Sequence, residues 1–188
     1  MKNVSLTIKD KKLLFQGQFT KLWGTNFLDK AGKKQVWEWV EKKDPVLIFP
    51  ITNDDKIVLI KNFRVPLGKY MIEIPAGLLD KAGESVENAA RRELLEETGY
   101  EAGELHTLKK YGAWGGITSM CAHVFIATGC KKTQNINIAG DDTEDITVIE
   151  IEADKLLDFY FALPEDEALF NMNILGIYEI AKAKGLVI

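Results

Sequence analysis

The amino-acid sequence predicts an α/β fold, with strands and helices interspersed along most of the chain and a small β unit ahead of them. Three observations carry that expectation. Two dense apolar runs, PVLIFPIT and KIVLIKNF, flank the tight turn Asn53-Asp54-Asp55, as strands of a sheet core do. A helix with recognisable ends lies between Ser85 and Gly99, and Ala168 to Lys184 reads as a closing helix. Upstream, about Leu13 to Val40 is built from short β-type stretches.

Taken in order, LLFQGQFTKLWGTNF and KQVWEWV are separated by Asp29-Lys30-Ala31-Gly32, whose composition suits a hairpin turn. Asp44-Pro45 punctuates the chain and sets the expected division into an N-terminal unit, 1–44, and a main domain, 45–188. After the two apolar runs, Tyr70-Met71-Ile72-Glu73-Ile74 forms a short strand that stops at Pro75-Ala76-Gly77, and Leu78 to Glu84 reads as a loop. Ser85 is a suitable N-cap, Glu87 complements the positive end of the helix dipole, and Gly99 can adopt the left-handed conformation that ends helices. Further strands are expected at Leu105 to Tyr111, Cys121 to Thr128 and Asp145 to Ile151.

Composition narrows the function classes. The 188 residues are 46% hydrophobic and 28% charged, ordinary for one compact domain with a small appendage. Net charge is -4, which argues against extended nucleic acid or an anionic membrane as partner. The start, MKNVSLTIKDKKLLF, has no long apolar segment, so neither a signal peptide nor a membrane span is expected and a soluble, cytoplasmic protein is. Cys121 and Cys130 are too few for a disulfide scaffold and read as free thiols.

The strongest chemical signal is Arg92-Glu93-Leu94-Leu95-Glu96-Glu97-Thr98-Gly99-Tyr100. Spacings of three and four put the carboxylates of Glu93, Glu96 and Glu97 along one side of a helix, where like charges repel. A hard divalent cation reverses that penalty, because magnesium takes oxygen ligands and recruits substrate phosphates. A merely solvated acidic face would not require Gly77, Arg92, an apolar Leu94 and the Gly99-Tyr100 ending together.

The stretch GLLDKAGESVENAARRELLEETGY, Gly77 to Tyr100, resembles the Nudix box, G-x5-E-x7-R-E-U-x-E-E-x-G-U. From Glu84 onward the match is complete; upstream, Leu78 to Gly83 supplies six residues where the pattern has five. The resemblance implies an α/β/α sandwich with a mixed sheet, plus a small N-terminal antiparallel β subdomain. It also implies that Glu93 and Glu97 bind metal directly, that Glu96 ligates or stabilises a second ion, and that the Ala76 carbonyl completes the coordination. Arg92 would brace the cluster, since a guanidinium offsets carboxylate repulsion through paired hydrogen bonds. Magnesium is the implied cofactor and manganese a possible substitute.

Residues Asn62 to Gly77 resemble the Q-[FY]-R-x-P-x-G-x-x-x-[IW]-E-x-P-A-G stretch of ADP-ribose and nucleoside-diphosphate-sugar pyrophosphatases. By that match Arg64 contacts a phosphate; the plain alternative is a surface arginine at a strand end. Glu73 either orients neighbouring groups or is a structural strand residue. The N-terminal segment resembles the part of this subfamily that crosses to a partner subunit and sandwiches the base, which makes Phe19 and Trp37 the stackers and Glu38 a base or ribose contact. Trp23, Trp37 and Trp39 could equally be interface or core aromatics. Glu144, in an acidic loop similar to one that carries the base in sugar-nucleotide hydrolases, is the expected general base.

The implied reaction is magnesium-dependent hydrolysis of the pyrophosphate bond of a nucleoside diphosphate sugar, with ADP-ribose giving AMP and ribose 5-phosphate. Other Nudix activities, on GDP-mannose, dinucleoside polyphosphates or nucleoside triphosphates, and a non-catalytic nucleotide-binding role are the alternatives. Tyr111 to Ser119 lacks the proline that ADP-ribose enzymes carry in this turn, so the distal sugar stays open; Trp114 either shapes that pocket or packs in the core. A homodimer with shared sites is expected, because Leu13 to Val40 is too short for a core of its own yet holds Phe15, Phe19, Trp23, Phe27, Trp37 and Trp39.

Overall fold

A computed structural model describes residues 6–133 and 145–187. The chain forms two compact units: residues up to Asp44 with Lys110–Ala122, and Pro45–Lys109 with His123 onward.

In the first unit, strands β1 (Thr7–Gln16), β2 (Lys21–Leu28) and β3 (Lys34–Glu41) form an antiparallel sheet in the order β1-β2-β3. A single hairpin is expected from Leu13; instead the first stretch is broken over residues 17–20 into β1 and β2, and β1 starts earlier, at Thr7, where the lysine-rich half up to Lys12 gives little apolar signal. The expected turn is present: Asp29 Oδ1 accepts from the Ala31 and Lys33 amides, and Gly32 has a φ of 80°. Side chains at paired positions share a face, so Trp23, Thr25 and Phe27 of β2 align with Trp39, Trp37 and Gln35 of β3, and Glu38 faces the other way.

The second unit is built on β4 (Pro45–Thr52), β5 (Lys56–Arg64), β6 (Lys69–Glu73), β7 (Ala76–Leu78), β8 (Tyr100–Glu101), β9 (Glu104–Thr107), β11 (Cys121–Lys132), β12 (Ile146–Glu152) and β13 (Leu169–Phe170), while β10 (Tyr111–Gly112) pairs with the first two residues of β11 in the first unit. The sheet is mixed. Neighbours β11 and β4, and β6 and β13, run parallel; β4-β5, β5-β6, β5-β12 and β4-β7 run antiparallel. Helix α1 (Val86–Thr98) packs on one face, where Ala89, Ala90 and Leu94 meet Val46, Ile48, Val58 and Phe125. The alternate residues of β4, Phe49 and Ile51, are buried too, so this strand is covered on both faces and reads as a continuous apolar run. Helix α3 (Asn173–Ala183), which also contacts β4, buries Ile174, Ile177, Tyr178 and Ala181.

Three other features differ from expectation. The closing helix begins at Asn173 rather than Ala168, because Leu169 and Phe170 join β6 as a parallel edge strand. The short helix α2 (Leu156–Ala162), entered through a 3-10 turn at Ala153–Lys155, was not expected; seven residues with one buried apolar position give no readable period. Trp114 is not core packing: it is 79% exposed, with a φ of 56°. No described helix is long and apolar enough to cross a membrane.

Candidate active site

Helix α1 is set by its ends. The Ser85 hydroxyl accepts from the Asn88 amide at 3.2 Å, Glu87 lies in the first turn, and Gly99, with a φ of 72°, turns its amide back to the Leu95 carbonyl. Burial of Ala89, Ala90 and Leu94 fixes the rotation about the axis, which brings Glu93 and Glu97 to the side facing β7 and leaves Glu96 half exposed.

The carboxylates meet the chain before the helix. Glu97, 6% exposed, accepts a 2.9 Å hydrogen bond from the Ala76 amide. Glu93 lies against Gly77 so closely that a Cβ there would overlap its carboxyl carbon and both oxygens. Glycine is therefore required at this position for close approach rather than for an unusual backbone angle. The Pro75 carbonyl accepts from the Ile48 amide, anchoring the same stretch to β4.

Arg92 closes the cluster. Its Nε and Nη2 donate to the two oxygens of Glu84 at 2.9 and 3.0 Å, and its Nη1 donates to Glu93 at 2.7 Å and Glu96 at 2.8 Å. Among the described residues no three acidic, histidine or cysteine side chains converge as a preformed metal cage; the guanidinium holds the carboxylates together instead. Hydrogen bonding to Arg92 lowers the Glu84 carboxyl below its ordinary range, while burial raises that of Glu93 despite the same guanidinium. The opposite shifts follow from how the guanidinium is divided: Glu84 accepts two of its hydrogen bonds, whereas Glu93 shares Nη1 with Glu96 and its desolvation prevails. Bonding to Glu84 is also the main reason that Arg92 holds its proton more firmly than usual.

Along β5, Arg64 donates from Nε to Glu73 Oε2 at 2.6 Å, and Glu73 is buried at the end of β6. The sequence leaves the partner of Glu73 undecided; the antiparallel register of β5 and β6 supplies it. Asn62 shares the face of Arg64, is fully buried, and its amide oxygen has no hydrogen-bond partner among the described residues. Tyr70 donates to Asp145, directly before β12.

The first unit keeps its expected site residues apart. Phe19 lies between strands and is 81% exposed. Trp37 lines a cavity of about 340 Å3 with Phe27, Trp39 and Thr25, and its indole donates to the Gly116 carbonyl at 2.8 Å. Glu38 is on the opposite face of the sheet. Glu144 lies outside the described residues.

The NUDIX domain model matches residues 41–169. This chain belongs to the Nudix family of pyrophosphohydrolases. Over 154 residues, 81% of each chain, this Nudix protein is 36% identical to the methanol dehydrogenase activator of Bacillus methanolicus. It is 32% identical over 157 residues, 84% of each chain, to the ADP-ribose pyrophosphatase of Bacillus subtilis (strain 168). The crystal structure of an ADP compounds hydrolase superposes with a TM-score of 0.77 at 24% identity, covering all of both chains, and so shares the fold.

Proposed function

We propose that this Nudix chain hydrolyses the pyrophosphate bond of nucleoside diphosphate sugars, with ADP-ribose the foremost substrate and AMP and ribose 5-phosphate the products. The observation that carries the reading is the close approach at Gly77, which sets Glu93 beside the Ala76–Gly77 backbone while Glu97 is held by the Ala76 amide. An all-oxygen donor set of Glu93, Glu96, Glu97 and the Ala76 carbonyl suits a hard divalent cation, magnesium first and manganese as a substitute. Bound there, such a cation would screen phosphate charge, acidify a water and stabilise the leaving phosphate. The chain's own part is orientation: Arg92 steadies the carboxylates against mutual repulsion, and Arg64 offers a guanidinium to a phosphate. Glu144 is the proposed general base.

The names of relatives lend support. Besides the Bacillus subtilis ADP-ribose pyrophosphatase, an ADP-sugar pyrophosphatase of Mus musculus is 29% identical over 180 residues. We also propose a homodimer in which the N-terminal sheet, 1–44, supplies Phe19, Trp37 and Glu38 to the base or ribose of the partner's nucleotide; the exposure of Phe19 and Trp37 supports this. The deciding experiment is turnover of ADP-ribose, GDP-mannose, UDP-glucose and a nucleoside triphosphate with magnesium or manganese, products separated by chromatography. Fastest release of AMP from ADP-ribose is expected. Preference for the triphosphate, or binding of ADP-ribose without turnover under either metal, would overturn the proposal.

A further inference from the structure

We propose that Glu73 positions the substrate's pyrophosphate indirectly, by holding Arg64 through Nε so that both terminal nitrogens of its guanidinium face the phosphates. The inference rests on the reading of Arg64 as a phosphate contact.

The register of β5 and β6 makes the arrangement unusual. Glu73 lies opposite Ile60, whereas Arg64 lies opposite Lys69, four residues further along β5. A solvated arginine at a strand end would extend away from the sheet. This one reaches back along its own strand, past Asn62 on the same face, to meet a buried carboxylate. An arginine paired for charge alone commonly engages a carboxylate through two nitrogens. Here the carboxylate takes Nε, and among the described residues no other acceptor takes a hydrogen of Nη1 or Nη2. Four N–H donors, on the planar edge that matches phosphate oxygens, are left available.

Burial gives the pair a direction. The Glu73 side chain is 12% exposed and that of Arg64 37%, so the anchored end is inside and the donor edge outside. A carboxylate near a pyrophosphate repels it, and so the charge of Glu73 by itself opposes binding. Geometry is what Glu73 contributes. Its strand is an interior one, held by β5 and β13, and three residues further on the same chain supplies the amide that fixes Glu97. Arginine and helix carboxylates are thereby referred to one stretch of backbone.

The test uses ADP-ribose binding to the full-length protein in EDTA, followed by calorimetry, so that neither metal nor turnover enters. Glu73→Gln keeps a carbonyl oxygen to accept from Nε and should bind within about threefold of wild type, whereas Glu73→Asp keeps the charge but withdraws the acceptor and should weaken binding about tenfold. In an Arg64→Ala background the Glu73→Asp substitution should have no further effect. Melting temperatures confirm folding of each variant. Arg64→Ala binding as tightly as wild type would remove the phosphate reading itself. Weak binding by Arg64→Ala with Glu73→Asp unchanged, a Glu73→Gln loss equal to that of Glu73→Asp, or an undiminished Glu73→Asp effect without Arg64 would overturn the positioning role alone.

Discussion

Substituting Gly77 by alanine tests the geometry of the acidic helix with a single methyl group. The added carbon would fall within the van der Waals envelope of the Glu93 carboxylate, and that side chain has to swing away. In doing so it gives up the 2.7 Å bond from Arg92, a charge-assisted contact whose loss costs about 1.5–3 kcal/mol. Gly77 does not use a positive φ, so alanine also stiffens the unfolded chain, offsetting about 0.4–1 kcal/mol. The balance is a destabilisation of about 1–2 kcal/mol, or a melting temperature lower by about 2–8 °C for a chain of this size. Function should suffer more: if Glu93 holds metal as proposed, moving its carboxylate by an ångström or so lowers turnover on the order of a hundredfold. Urea and thermal unfolding without metal, calorimetric titration of magnesium and single-turnover hydrolysis of ADP-ribose measure the three consequences separately. Wild-type turnover at wild-type metal affinity would refute the reasoning, whatever the stability.

Glu97→Gln keeps shape and an acceptor for the Ala76 amide but loses charge, so turnover should nearly vanish with an unchanged circular dichroism spectrum; retained turnover across a magnesium titration counts against this helix as the metal site. Asp54 is lowered from the ordinary 3.8 to about 2, first by hydrogen bonding to Lys56 and then to Thr52, so its stabilisation is complete above about pH 4 and lost as the pH falls towards 2. Asp54→Asn should therefore lower urea stability at pH 6 and match wild type near pH 2; a constant difference over that range would contradict the linkage. For the shared-site dimer, mixing Trp37→Ala with Glu97→Gln subunits, each inactive alone, should restore up to about one working site per mixed dimer. No recovery despite verified exchange would dismiss the shared site.

Helix α1 was legible because its signals are local: a cap at Ser85, a left-handed glycine at Gly99, and glutamates spaced to share a side. The sheet core was legible for the same reason in β4 and β5, whose apolar runs are buried on both faces. What escaped depends on contacts distant in sequence. Strand β7, Ala76–Leu78, reads as part turn and part loop from sequence, since three residues with a central glycine become a strand only against β4. The grip of Arg92 on Glu84 spans eight positions and starts outside the helix, so no helical period reveals it. Glu73 could be given two roles from sequence because its partner is chosen by strand register.

Of five consecutive residues, Glu73 to Gly77, four touch Arg64, the Ile48 amide, Glu97 and Glu93 in turn. They act as a ruler. A chain of five residues spans at most about 16–18 Å, and its length is fixed by covalent bonds rather than by loop packing. Inserting one residue here would shift every later graduation, displacing the carboxylates relative to the arginine without unfolding the helix. Loops and surface elsewhere in this scaffold are accordingly free to change, while the ruler between its two charged ends has to be inherited intact.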